Sequence, residues 1–562
     1  MSTDRKKKNY KLRQSRYSKN TPQKGQKKSL SQKNAQKPKK TVKPSVKVSF
    51  LGGLNEIGKN ITLIECEGDM LIIDCGMAFP DGDMLGVDLV IPDFSYIEQN
   101  ADKIRGIVLT HGHEDHIGGL PFLLSRVNIP LYGTPLTLGL VGNKLREHSL
   151  FNKTKMTVVN AGDTIRLGCM SVKFIHVNHS IPDAVAFAIH TPAGTIVHTG
   201  DFKIDCTPIL GETIDLSSFA QVGDEGVLAL LAESTNASRP GYTRTEMMVS
   251  DSLNMLFSKA EQYRIIIATF ASNVNRVQQI INTAHKYGRK VAFSGRSMVN
   301  YMEVAKKLGY LNIPENILID LDMLDKYPRE QIVLVTTGSQ GEPMSALSRM
   351  AYSDHRKVMV GEGDFIIISA NPIPGNEKTV GNVVDELLKK GCKVIYESMY
   401  DVHVSGHACQ EELKLIHRLV KPKFFIPVHG EQKHLRKHAE LAEFLGMERK
   451  NIYIGDVGSI VLRDRKHLGQ DGLIIIVASL DVYDGHVISG PDVVSRGFVY
   501  VRESETLLDE VRKLALDILE DCAEKNIHEW GIIKNRIKDE ISKLIAQRTR
   551  RAPMILPILQ EV

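Results

Sequence analysis

Beyond residue 45 the apolar positions fall into short runs closed by small or polar residues. VKVSFLGG, NITLIECEG, DMLIIDCG and GIVLTHG are β-branched and punctuated by Gly and Asp, which predicts strands and turns. LPFLLSRV and LTLGLVGNKLREH carry the helical period. Strands return at MSVKFIHVNHS, AFAIHTPAGTIVHTGDF and GVLALLAES. Around Met247 the pattern changes to strict alternation. MVSDSLNMLFSKA, RIIIATFAS, NRVQQIINTAHKYG and KVAFSG read helix, strand, helix, strand, the order of a parallel α/β unit that runs to about SGHACQEE. PKFFIPVHGE is a further strand ending at a histidine. After Gly455 come SIVLRDRK, GLIIIVASLD, HVISGPDVV and FVYVRE, then the helical stretches LLDEVRKLALDILEDC and IIKNRIKDEISKLIAQ, a small α+β domain. No internal repeat is visible.

Composition narrows the class. A chain of 562 residues is too long for one ordinary core and predicts two to four domains. With 42% hydrophobic and 25% charged residues it is an average soluble globular chain, not a collagen, a disulfide scaffold or a wholly disordered protein. No window holds an apolar span long enough for a membrane. The start, MSTDRKKKNYKLRQ, has no apolar core behind its bases and is not a secretory signal. Cys66, Cys75, Cys169, Cys206, Cys392, Cys409 and Cys522 are scattered with no CxxC pair, which predicts a cytoplasmic location and argues against a cysteine zinc site. The net charge of +6 hides an asymmetry: residues 1–47 hold 17 Lys and Arg against Asp4 alone, so a basic arm is attached to an acidic body. Residues 1–45 cannot bury enough apolar surface to fold and read as a disordered basic tail. Either it is a solubility tail or it tethers nucleic acid through phosphate counterion release, and the second reading is favoured.

The chemistry concentrates in His111-Gly112-His113-Glu114-Asp115-His116, where the strand GIVLT breaks into a Gly-rich turn. Three imidazoles and a carboxylate so close together are costly to bury unpaired, and together they suit zinc or manganese. Alternate residues of a strand-end loop point into one cavity, so His111 and His113 can serve one ion and Asp115 and His116 a second. One loop cannot complete two coordination spheres. His179 in VNHSIPD, Asp201 in HTGDFK and His429 in PVHGE stand at other strand ends and can complete them, with Asp201 placed to bridge. Two such ions would clamp an in-line phosphoryl displacement. His176 and His198, inside strands, read as structural histidines. Asp74 in LIIDCG reads as an acceptor that orients the metal loop.

Gly53-Leu54-Asn55-Glu56-Ile57-Gly58-Lys59-Asn60 nearly matches the phosphate-loop pattern GxxxxGK[ST]. Asn60 lacks the hydroxyl that would bind Mg²⁺, and ITLIECEG after it reads as strand where a helix is required. It is a turn lining the face of the site.

HxHxDH followed by a later His, Asp and His is similar to the metallo-β-lactamase hydrolase pattern. The α/β insert between Asp201 and His429 resembles a β-CASP domain, marked by Glu233 in AESTN, His407 in VSGHACQEE and His429. LGGLNEIGKN, VIPDFSYI, TTGSQGEPMSALSRM, PIPGN and SGPDVVSRGFVYVRES resemble the bacterial ribonuclease J family, from about Val46 to Val562. The resemblance implies a metallo-β-lactamase αββα sandwich, an α/β fold, with an inserted α/β β-CASP domain and a small C-terminal α+β domain. The expected segments are a tail at 1–45, the sandwich at 46–245 and 411–455, the β-CASP domain at 246–410, and a linker and C-terminal domain at 456–562. The family's connection before the last domain is usually longer; here NIYI runs directly into Gly455-Asp456-Val457-Gly458.

What the resemblance implies for function is a metal-dependent ribonuclease with 5′-to-3′ exonuclease activity preferring 5′-monophosphate RNA, and endonuclease activity, in mRNA decay and rRNA maturation. One ion, zinc first with manganese or magnesium as alternatives, would bind His111, His113 and His179. A second would bind Asp115, His116 and His429, with Asp201 bridging. Catalysis would fall to Asp115, Glu233 and His407. Gly338-Ser339-Gln340-Gly341 and Ser405-Gly406-His407 are candidates for holding the substrate phosphate. Single-stranded RNA would be the substrate, and the subunits would form homodimers or homotetramers or pair with a paralogue, with an RNA-degradation complex or the ribosome as further partners and no membrane. Competing readings are a DNA-acting β-CASP nuclease, a thioester or lactone hydrolase, and a non-catalytic RNA-binding subunit. The full ligand set argues against the last.

Overall fold

The computed structural model describes residues 44–562 except 80–88, 343–344, 373–375, 397–398, 456–472, 482–484, 497–504, 526, 528–529, 550–552 and 562. The readings made on residues 1–43, on PIPGN in part, and on SIVLRDRK and FVYVRE therefore lie outside the described residues.

Six strands form the first sheet in chain order: Val46–Gly52, Ile61–Cys66, Asp69–Ile73, Ile104–Val108, Leu131–Gly133 and Met156–Val158. The first three run antiparallel and the rest parallel. The second sheet is ordered Phe424–Val428, Val227–Glu233, Gly194–His198, Val185–Thr191, Met170–His176 and Thr164–Leu167. Burial on both faces explains why ITLIEC and DMLII are continuous apolar runs and not alternating ones. Leu71 and Ile73 pack with Phe174, Phe187 and Leu231 between the two sheets. Met70 and Ile72, one residue out of phase, pack outward with Leu120, Leu123 and Val141 of the helices Leu120–Leu124 and Pro135–Glu147. The second sheet's outer face is covered by the helices Leu216–Glu225, Gln410–Val420 and Gln432–Phe444. Each such fully buried aliphatic side chain contributes about 1.5–3 kcal/mol.

The insert holds a five-stranded, all-parallel sheet ordered Lys290–Ser294, Ile332–Thr336, Arg264–Ala268, Asp364–Ile368 and Lys393–Ile395, with helices on both faces. Buried polar contacts tie it to the sandwich. Arg276 donates to Glu246 at 2.8 Å, and Lys203 of the sandwich lies 3.6 Å from the same carboxylate. Tyr301 donates to the Gly112 carbonyl at 3.1 Å, in the middle of the histidine loop.

Pro427 falls on an edge strand, the place where a missing ladder N–H is tolerated. The same rule explains a strand that sequence reading misses. Met554–Glu561, containing Pro557, pairs parallel with Leu473–Leu480 at the edge of the three-stranded C-terminal sheet, opposite Val487–Arg496. Two helices, Glu505–Glu524 and Trp530–Thr549, cover one face of that sheet. NIYI closes the sandwich: Ile452 bridges to Phe425, and Tyr453 N donates to the Phe425 carbonyl at 2.9 Å. Among the described residues no helix is long and apolar enough to cross a membrane.

Candidate metal centre

Parallel strands from both sheets end on one side of the sandwich. Asp69–Ile73 delivers Asp74, and Ile104–Val108 delivers Thr110 and His111. On the facing sheet, Gly194–His198, Val227–Glu233 and Phe424–Val428 run parallel and end at Asp201, Glu233 and His429. Met170–His176 runs out into His179. The histidine loop turns into a short helix, Glu114–Ile117, whose entry brings Asp115 and His116 beside His111. Gly76 is required here: a Cβ on it would lie 1.6 Å from the Asp115 carbonyl.

Ligand atoms of His111, His113 and His179 form one close group and those of Asp115, His116, Asp201 and His429 a second, while His179, Asp201 and His407 form a third that overlaps both. His113 Nδ1 is 3.0 Å from His111 Nε2 and 3.1 Å from His179 Nε2. Asp201 Oδ2 belongs to both neighbourhoods: it lies 3.2 Å from His116 Nε2, 3.5 Å from His429 Nε2, 3.8 Å from His111 Nε2 and 4.0 Å from His179 Nε2. These side chains are buried except His113, which is half-buried, and Asp115, which is 29% exposed.

Outer partners decide which ring nitrogen faces inward. The Gly406 carbonyl can only accept, so His179 Nδ1, 2.7 Å away, carries the hydrogen and Nε2 is bare. Asp74 Oδ2 accepts from His116 Nδ1 at 2.8 Å and from Thr110 Oγ1 at 2.7 Å, and Thr110 Oγ1 in turn lies 3.0 Å from His111 Nδ1. His429 Nδ1 lies 2.8 Å from Asn60 Oδ1. Four imidazoles thus present Nε2 to a common centre, the arrangement that holds metal-ligating histidines.

Burial pushes the His111 and His179 imidazoles well below their ordinary range, and His113 down to about 4, so three neutral rings face one another. Burial works against a charge on His116 too, but Asp201, Asp115 and Asp74 outweigh it and raise that ring well above its ordinary value. Burial also opposes charge on Asp201, and His429 and His116 overcome it and hold the carboxyl well down. The bare nitrogens of the three neutral rings, beside His116 and two ionised carboxylates, form a donor set that fits a borderline divalent cation such as zinc.

At the rim stands His407, 22% exposed, its Nδ1 3.3 Å from Glu233 Oε1. Glu233 is fixed by two backbone donors, Ala408 N at 3.2 Å and Thr235 N at 3.0 Å. Ser405 Oγ accepts from Asn236 at 2.9 Å and from His407 N at 3.2 Å. Gly406 touches His179, and its added Cβ would lie 2.7 Å from Cε1 of that ring. Gly338 and Ser339 come just past the strand Ile332–Thr336. A Cβ on Gly338 would meet Ser345 and Leu347, its φ is 107°, and Ser339 is buried, so the turn itself requires a glycine there. His176 lies 3.1 Å from the Glu212 carbonyl, and His198 accepts from Gly200 N at 3.0 Å, both outside the two groups. Thr110 and Asn60 take part without having been expected to. Asn60 did leave a signal, since it is the residue at which the phosphate-loop pattern fails.

A two-sheet sandwich with this His/Asp cluster at its strand ends, interrupted by a parallel α/β insert, is a metallo-hydrolase scaffold. The model of the metallo-beta-lactamase superfamily matches residues 54–236, and that of the Zn-dependent metallo-hydrolase RNA specificity domain matches 392–454. The "Ribonuclease J, beta-CASP domain" matches 262–387 and the "Ribonuclease J C-terminal domain" 460–562. Ribonuclease J2 of Bacillus subtilis is 41% identical over 556 residues, covering 93% of this chain and 100% of that protein. Ribonuclease J 1 of Streptococcus pyogenes is 39% identical, covering 92% and 98%. Ribonuclease J 2 of Staphylococcus aureus is 37% identical with the same coverage. The chain belongs to the ribonuclease J family, and it is a metal-dependent hydrolytic nuclease. A solved protein of unknown function from Enterococcus faecalis V583 shares the fold at 16% identity, with TM-score 0.53, over 74% of this chain and 99% of that one.

Proposed function

We propose that this chain degrades single-stranded RNA from a 5′-monophosphate end, and also cleaves internally, using two divalent cations with zinc as the native metal. The observation that carries the reading is the position of Asp201 Oδ2, within 4.0 Å of ring nitrogens from both ligand groups. His111, His113 and His179 would hold one cation, and Asp115, His116 and His429 the other. When bound, such ions supply Lewis acidity toward phosphoryl oxygens and a more acidic water. Hydrolysis joins a water oxygen to phosphorus and breaks the P–O3′ bond. His407 gives the departing 3′ oxygen its proton, and Glu233 holds the Nδ1–H so that Nε2 faces the substrate. Ser405, Gly406 and His407 form the part of the phosphate pocket next to this acid, and Gly338 and Ser339 are its proposed far side. The segments at 46–245, 246–410, 411–455 and 456–562 are the working domains. The setting is cytoplasmic mRNA decay and rRNA maturation by a homodimer, a homotetramer or a paired paralogue.

Incubation with 5′-monophosphate and 5′-triphosphate forms of one RNA tests this. The monophosphate form should be shortened from its 5′ end to mononucleotides and the triphosphate form should resist, while a chelator should stop both. Equal exonuclease rates would sink the closed phosphate pocket, and activity surviving the chelator would sink the metal reading. Cleavage of the matching DNA at the same rate would return the DNA-nuclease alternative.

The tail at 1–45 is proposed to capture RNA without sharing in the chemistry, because residues 1–47 carry a net +16 and the rest of the chain a net −10. Deleting it should flatten the dependence of RNA affinity on salt and leave turnover at saturating RNA unchanged. An identical salt slope for the full and shortened chains would make it a solubility segment.

A further inference from the structure

The phosphate-loop lookalike Gly53–Asn60 has a function that its failed motif conceals: we infer that the Asn60 side chain is a positioning residue for the ligand group built from Asp115, His116 and His429. The backbone is bent to aim it. Gly58 and Lys59 have φ of 120° and 50°, and Glu56 bridges to Gly430 beside His429. Gly53, at φ 78°, leaves the room, since a Cβ there would lie 2.5 Å from Asn60 Oδ1. The amide's orientation follows from its partners. Nδ2 lies 3.1 Å from the Asp115 carbonyl, which can only accept, so that end is the NH₂. Oδ1 is then the acceptor 2.8 Å from His429 Nδ1, which puts the hydrogen on Nδ1 and leaves Nε2 bare toward Asp201. Nδ2 also stands 3.1 Å from His116 Nε2 and 3.4 Å from Asp115 Oδ2. One neutral amide therefore touches three of the four members of that group and none of the other.

A purely structural role is already filled by the main chain. Asn60 N donates to the Asp115 carbonyl at 3.0 Å, and Gly76 N donates to the Asn60 carbonyl at 2.9 Å. Both bonds survive a change of side chain. The remaining histidines of the site lean on Asp74, Thr110, Gly406 and Ser180, so His429 has Asn60 as its outer partner where His116 has a carboxylate. A neutral acceptor fixes the tautomer without adding charge to a site that already holds two carboxylates.

The inference rests on the two-cation reading, and the test separates the two. Zinc is titrated into the metal-free full-length protein against a coloured chelator, and the imidazole tautomers are read by long-range proton–nitrogen spectra. Wild type should bind two zinc ions per chain, with His429 as the Nδ1–H form. Asn60→Ala should weaken one of the two by about 10–100-fold, leave the other unchanged and let His429 populate both tautomers. Asn60→Asp keeps the acceptor and should restore the tautomer, while its added charge and the lost N–H toward the Asp115 carbonyl leave the affinity below wild type. Fewer than two ions in wild type would overturn the two-cation reading itself. Two ions in wild type with unchanged affinities and an unchanged tautomer in Asn60→Ala would overturn the role of Asn60. Should the alanine chain fail to fold, Asn60→Asp decides alone: an unfixed His429 in that variant overturns the inference.

Discussion

Asp201→Asn is expected to reduce RNA cleavage on the order of 10³-fold, the effect of losing several kcal/mol of charge stabilisation. The change keeps the shape of the side chain and removes its charge. Because one oxygen faces ring nitrogens of both groups, the variant should hold both cations more weakly. His113→Ala offers the contrast. His113 belongs to one group only, so its loss should deplete one cation before the other. Elemental analysis after dialysis, paired with single-turnover cleavage, reads both. An Asp201→Asn protein with full metal and wild-type rate would remove Asp201 from the centre.

His407→Ala should slow the chemical step by roughly 10²–10⁴-fold with both cations retained, the usual range for a lost general acid. Burial disfavours charge on this imidazole, but Glu233, Asp201 and Asp115 outweigh it and raise it to about 9. A ring with a raised pKa is protonated below that value and loses its proton above it. The rate should therefore hold through neutral pH and fall as pH rises toward 9. Cations bound to the same carboxylates oppose their field, so the fall begins lower in the loaded enzyme. Glu233→Gln keeps an acceptor for the Nδ1–H and removes the charge. It should shift that fall further down, toward the ordinary imidazole value of about 6.5. A pH profile that is the same in wild type and Glu233→Gln would deny His407 the proton transfer.

The seven clustered positions were legible because each stands where an apolar run breaks. HGHEDH, VNHS, HTGD and PVHG each put a titratable residue at a point where a strand is ending, and a parallel sheet gathers such points on one side. Asp74 was legible for the same reason. What stayed hidden depends on side-chain direction. Thr110 is one more β-branched residue until its hydroxyl is found between Asp74 and His111. Asn60 is one more turn residue until its amide is found between Asp115 and His429. The last strand was missed because Pro557 argues against a strand wherever both neighbours need its N–H, and only the sheet order shows that it lies at an edge. At Gly338 the need for glycine is set by the turn itself, since an added Cβ would meet Ser345 and Leu347.

The pairing of Val227–Glu233 with Phe424–Val428 has a consequence for synthesis. The strand that brings His429 lies some 190 residues beyond the one that brings Glu233, and at roughly 5–20 residues per second the ribosome needs on the order of 10–40 s to cover that distance. For most of that interval the nascent chain has the histidine loop and Asp201 but not His407, and for all of it the chain lacks His429. The full ligand set can therefore assemble only after the insert has been made and the strand Phe424–Val428 has paired behind it.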